Sequence, residues 1–147
     1  MAYFDGRADQ LSRVRSWCLE SLRLPEDRAA PSVLVLSELV ANAVRHTASG
    51  TRFGRVRVQL EVLPGTVVVL AVTDDGPRSG QQITLPHLSP RSPQDGCLRE
   101  GGRGLLLVSA LAEEWWWTGL PGAPLTVHAM VDPHRDLPAP DPHQNPA

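Results

Sequence analysis

The sequence predicts an α+β domain, a two-layer sandwich in which a mainly antiparallel sheet carries helices on one face. Three observations lead there. Apolar residues recur at three- and four-residue steps in an early stretch, and four later segments carry short strand patterns. The resulting order is helix, helix, strand, strand, loop, helix, strand, strand. Helices and hairpins segregated in that way pack as a sheet with helices laid on one side.

Ala8 to Leu22 reads as an amphipathic helix through Leu11, Val14, Trp17 or Cys18, and Leu22, and Leu24-Pro25-Glu26-Asp27 breaks it. A second helix starts within Asp27 to Ser32 and runs to about His46. Pro31 belongs in its first turn, where a missing N–H costs nothing. Val56, Val58, Leu60 and Val62 alternate with polar residues as in a half-buried strand. Pro64-Gly65 turns the chain into Thr66 to Thr73, whose valines suit a strand buried on both faces. Gly76 to Gly104 is rich in Pro, Gly, Ser and Gln, a length of irregular chain that is usually functional or disordered. Leu105 to about Glu114 resumes a helical pattern. Trp115 to Thr118 and Leu125 to Val131 form a last pair of strands. Of the three adjacent tryptophans, alternation packs two on neighbours and leaves one exposed. The expected domain is 1–131, with a lid over 76–104 and a Pro-rich disordered tail over 132–147.

Composition removes several chemistries. The 147 residues make one domain, 41% hydrophobic and 20% charged, with a net charge of -2 and no footprint for nucleic acid or an anionic membrane. All 14 basic side chains are arginine, so neither a Walker-type phosphate loop nor a Schiff-base lysine is available. Cys18 and Cys97 lie in no CxxC arrangement and suit free thiols, and the histidines show no metal-ligand spacing. The first ten residues lack a basic stretch followed by an apolar run, and no apolar segment reaches bilayer length. A cytoplasmic domain is expected.

Three short motifs remain. In Ser37-Glu38-Leu39-Val40-Ala41-Asn42-Ala43-Val44-Arg45-His46, Glu38 and Asn42 share one helix face. The amide oxygen suits Mg²⁺ beside phosphates and the carboxylate suits proton acceptance, although a solvated polar face has the same pattern. In Leu70-Ala71-Val72-Thr73-Asp74-Asp75-Gly76-Pro77, an acidic pair ends a buried strand. One carboxylate could accept from an adenine amino group while Gly76 lets the chain pass close, or the segment is a plain turn. In Glu100-Gly101-Gly102-Arg103-Gly104-Leu105, glycines open a helix and offer free amides to a phosphate, or serve as a hinge.

In this order the motifs resemble the GHKL ATPases, with an N-box helix, a D-x-G box after a strand, a variable lid and a G-x-G-L box. SELVANAVRH and GGRGLLLVSALAEEWWW look narrower still, like the anti-sigma-factor serine kinases. The resemblance covers about residues 8 to 131 and implies the Bergerat ATP-binding fold with ATP and Mg²⁺ as cofactors. It makes Asn42 the Mg²⁺ ligand, Glu38 the general base and Asp74 the adenine acceptor. Gly102, Arg103, Gly104 and Leu105 become the phosphate end, and Thr126 a support for the adenine site. A sigma factor and an antagonist protein phosphorylated on Ser or Thr are the implied partners, with a homodimer allowed. Two features depart from the family. Arg78 stands where D-x-G-x-G requires a second glycine, and no histidine-bearing helix hairpin precedes the N box. The first departure leaves open an alternative, an ATP-sensing module that sequesters a partner without turnover.

Overall fold

The computed structural model describes residues 1–64, 67–83, 85–86 and 103–135; of residues 103 and 104 it describes the backbone alone. Strands β1 (Ala2–Asp5), β2 (Arg55–Val62), β3 (Val68–Thr73), β4 (Glu114–Gly119) and β5 (Leu125–Val131) form one sheet in the order β1-β2-β3-β5-β4. Every pairing in it is antiparallel. Helices α1 (Leu11–Leu22), α2 (Glu26–His46) and α3 (Arg103–Leu111) supply the second layer, α2 lying centrally against β3 and in contact with both other helices.

The alternation of each strand separates a helix-facing side from an outer side. Val56 and Val58, then Leu70 and Val72, then Ala129 and Val131 enter the core with Val35, Leu36, Leu39 and Val40 of α2. Leu36 is fully buried, a contribution of about 1.5–3 kcal/mol for a side chain of its size. The mates Arg57, Gln59, Ala71, Thr73, Thr126 and His128 fall on the outer side. β3 is therefore not buried evenly on both faces: Val69 and Thr73 are only partly covered, since all the helices occupy one side. An antiparallel sheet tolerates this, needing cover on one face only.

Several expectations are corrected by the packing. β1 was not anticipated, because four residues carry too little alternation to register. It is held by pairing to β2 and by Phe4 meeting Trp17 of α1 edge-on, ring centroids 6.0 Å apart. Ala8 to Gln10 form a 3₁₀ turn ahead of the α-helix proper. α2 begins at Glu26, where the Pro25 carbonyl accepts from Arg28 and Ala29. Pro31 thus sits in the second turn, where it withholds one backbone bond from Asp27, and its ring is buried. The third helix stops at Leu111 and Glu114 already belongs to β4.

None of the three tryptophans is fully exposed. Trp115 packs on the core and donates through Nε1 to Ser109 Oγ at 2.7 Å, Trp116 stacks on His128 on the outer face, and Trp117 is half-buried. Asp132 to Arg135 form a turn after β5, the Arg135 amide donating to Asp132 O at 3.3 Å and its guanidinium pairing with Glu113 at 3.1 Å. Residues 136–147 lie outside the described residues. Cys18 is a buried free thiol, its pKa pushed up to about 11 by burial; Cys97 is outside the description.

Candidate functional site

The acidic pair at the end of β3 divides into two jobs. Asp74 turns toward the helix layer and is bound by backbone on both sides. Its Oδ1 accepts from the Gly76 amide at 2.6 Å and from the Leu125 amide at 3.3 Å. The second carboxylate oxygen has no hydrogen bond among the described residues, so a fixed acceptor is offered to whatever enters. Burial pushes the Asp74 carboxyl upward, the two amides oppose this, and the neighbouring Asp75 charge adds to it. Asp75 turns the other way. Its Oδ2 accepts from the Arg55 amide at 2.7 Å, and its own amide donates to Ser49 Oγ at 2.9 Å.

A cleft opens beside Asp74, about 300 Å³ including its open mouth, lined by His46, Thr47, Gly76, Pro77, Ile83, Ala123 and Leu125 among others. Gly76 takes φ +85°, and a Cβ there would crowd the Pro124 backbone at 3.3 Å, so the position excludes side chains on both counts. Its close approach is to the β4–β5 turn. Ile83 and Ala123 carry no signal in the sequence, because an isolated apolar residue in an irregular segment has no period.

Along α2, Glu38, Asn42 and His46 are successive four-residue steps on one face. His46 lines the cleft, which places Asn42 about 6 Å and Glu38 about 12 Å farther along the helix axis. Partial burial, then the Arg45 and Arg78 guanidinium groups, hold the His46 imidazole below its ordinary range. Asn42 Oδ1 is buried without a hydrogen-bond partner among the described residues. Such an oxygen is costly unless something completes it, and a neutral hard donor fits Mg²⁺. Among the described residues no cluster of His, Cys, Asp or Glu forms an alternative metal site.

Two expected residues are placed differently. Thr126 pairs with Thr73 on the outer face, their hydroxyls 2.8 Å apart, and the alternation of β5 brings Leu125 to the cleft in its stead. Leu105 is buried in the core, leaving only its backbone for a phosphate end. Gly102 lies outside the described residues, while Arg103 and Gly104 fall in the first turn of α3. Among the described residues no helix is long and apolar enough to cross a membrane.

A carboxylate fixed at a strand end beside a cleft, with a buried amide oxygen one helix turn from the cleft-lining His46, sits in a two-layer α+β sandwich. Residues 4–124 match the Histidine kinase-like ATPase domain, and the chain belongs to that family. It is 30% identical over 91 residues to the serine-protein kinase RsbW of Staphylococcus epidermidis, covering 60% of this chain and 57% of the relative. To the serine-protein kinase RsbW of Staphylococcus aureus (strain JH9) it is 29% identical over 84 residues, covering 55% and 52%. The chain thus spans a little over half the length of these curated relatives. A solved structure, the histidine kinase domain of the blue-light activated histidine kinase from Erythrobacter litoralis EL346, aligns with TM-score 0.45 and 21% identity over 84% of this chain and 59% of that one.

Proposed function

We propose that this chain binds ATP with Mg²⁺ and transfers the γ-phosphoryl group to a Ser or Thr of an antagonist protein, acting as an anti-sigma-factor serine kinase that also binds a sigma factor. The observation that carries this reading is the Asn42 oxygen, buried and unpartnered among the described residues, on the α2 face whose last member, His46, lines the Asp74 cleft. Support for the phosphoacceptor comes from the named activity of the RsbW relatives.

In this mechanism Asp74 accepts from the adenine amino group through its free oxygen, and the Pro77, Ile83 and Leu125 side chains flank the ring. The α3 amides at Arg103, Gly104 and Leu105, joined by Gly102, bind the phosphate end. Asn42 would hold Mg²⁺ through its amide oxygen, and the ion would supply positive charge beside the phosphate oxygens. Glu38 takes the proton of the acceptor hydroxyl as its oxygen attacks the γ-phosphorus. The bond from that phosphorus to the bridging oxygen breaks, and ADP leaves with the electron pair. Positioning and electrostatics supply most of the acceleration.

Calorimetric titration with ATP and ADP, with and without Mg²⁺, tests the site, and labelled ATP with an antagonist protein tests the transfer. Glu38→Gln is expected to keep ATP binding and to lower transfer by about 10²- to 10⁴-fold, the usual contribution of a general base. Unchanged transfer in Glu38→Gln removes the carboxylate from the chemistry. ATP binding with no transfer to any antagonist would leave an ATP-sensing module.

A further inference from the structure

The residue that departs from the family pattern has a defined place. The last carbonyls of a helix have no partner within it, and α2 ends at His46 beside the cleft. Ala43 O is taken by the amide and the hydroxyl of Thr47. Arg78 takes others: its Nη2 donates to Val44 O at 3.1 Å and Arg45 O at 3.0 Å, and its Nε donates to Thr47 O at 3.0 Å. A guanidinium suits this position twice, offering several donors in one plane and a positive charge at the negative end of the helix.

Arg78 is itself held. Its amide donates to Gln81 Oε1 at 3.2 Å and its carbonyl accepts from the Gln81 amide at 3.0 Å, closing a turn over 78–81. A second, backbone tie lies alongside, the Ala48 amide donating to Gly76 O at 2.7 Å. Gly50 makes room: a Cβ there would collide with Val44 O and stand 3.1 Å from the Arg78 guanidinium. The turn carrying Asp74 and Gly76 is therefore joined to the end of α2 by one main-chain bond and by three side-chain bonds from a single residue. Glycine at position 78 would keep only the first.

We propose that Arg78 is a positioning residue: it clamps the Asp74–Gly76 turn against the C-terminal end of α2, so that the base end of the cleft is already assembled before a ligand enters. Pre-assembly avoids the ordering cost of binding, so the departure from glycine strengthens base recognition in this chain. The inference rests on the nucleotide-binding reading for its consequence, while the clamp is measurable without any ligand.

The test compares the wild-type chain with Arg78→Gly and Arg78→Lys by amide hydrogen exchange and by titration with ATP and ADP. Arg78→Gly is expected to speed exchange at Ala48 and Gly76 by about tenfold, the loss of charge-assisted hydrogen bonds, and to leave Val58 and Leu70 in the central strands unchanged. ATP and ADP affinity should fall together, by about tenfold, because the affected end binds the base. Arg78→Lys, which keeps a charge and can still donate, should recover part of both effects. Wild-type exchange at Ala48 and Gly76 in Arg78→Gly overturns the clamp. Exchange accelerated equally in the central strands reduces Arg78 to a general stabiliser and overturns it too. Should Arg78→Gly not fold, Arg78→Lys and Arg78→Gln carry the same exchange comparison, graded by the donors they retain. A wild-type chain that ignores ATP while Ala48 and Gly76 respond to position 78 defeats the nucleotide reading and leaves the clamp standing.

Discussion

Asp74 and Asp75 are adjacent carboxylates at the end of one strand, yet they build opposite regions. The Asp74 side is a cleft wall, with one oxygen satisfied by two amides, the other without a hydrogen bond among the described residues, and the charge raised in energy by burial. The Asp75 side is a scaffold. Its carboxylate accepts from Arg55 and its amide donates to the fully buried Ser49 hydroxyl, which in turn donates to Arg55 O at 2.7 Å. That closed network fixes where β2 begins and hence where the 3₁₀ turn Ala48–Gly50 (itself bonded to Gly76) lies. The two carboxylates thus differ in what they hold: Asp74 is tied to the chain segments that line the cleft, and Asp75 to the start of β2.

The widest separation between the two regions should come from Asp74→Asn. The amide keeps the Oδ1 bonds but presents donors where the ligand's amino group needs an acceptor, so ATP affinity by calorimetry should drop about 10- to 100-fold. Folding should not suffer. A carboxyl whose pKa is raised by folding stabilises the native state only below its unfolded pKa, and that benefit is lost as pH rises through the folded value. At neutral pH the ionised Asp74 is thus a cost that Asn removes, and thermal unfolding should occur at the same temperature or higher. The same sign gives a pH dependence: ATP binding by the wild type should weaken on acidification at a pH above the ordinary carboxylate range.

Ser49→Ala should invert the pattern. It orphans the Asp75 amide and the Arg55 carbonyl, at a cost of about 1–3 kcal/mol in chemical denaturation. ATP affinity of the folded protein should stay near wild type; a large loss there would mean that the two regions are not separable. The smallest effect belongs to Thr126→Val, which removes a hydroxyl shared with Thr73 on the outer face. Stability should change by less than about 0.5 kcal/mol and ATP affinity not at all. A weakened ATP complex would bring the outer face into the site.

Legibility in the sequence followed the strength of local patterns. α2 and β5 were readable because long runs repeat their period, and the shared face of Glu38 and Asn42 because a four-residue step on a helix leaves one geometry. The four residues of β1 fell below that threshold, since only pairing with Val56 to Val58 and the contact with Trp17 make them a strand. The face of Thr126 was illegible for a related reason: in a strand a shift of one residue reverses the face, and only the register with Thr73 shows which face it takes. Pro31 was assigned to the first turn because the start of α2, set by Pro25, has no side-chain cap to announce it.

The amino-acid sequence by itself determined the fold class, the absence of any lysine-based phosphate site, and the shared helix face of Glu38 and Asn42. Those are properties of periodicity and residue type, which act over a few residues. Tertiary structure decided which of two neighbouring aspartates faces the cleft, which apolar residues close it, and what an arginine does in a glycine's place. Each of these depends on groups distant in the chain: Asp74 on Leu125, Asp75 on Arg55, Arg78 on the end of α2. Hydrogen bonds of that kind exist only once the sheet and helices have packed, so nothing local in the sequence could announce them.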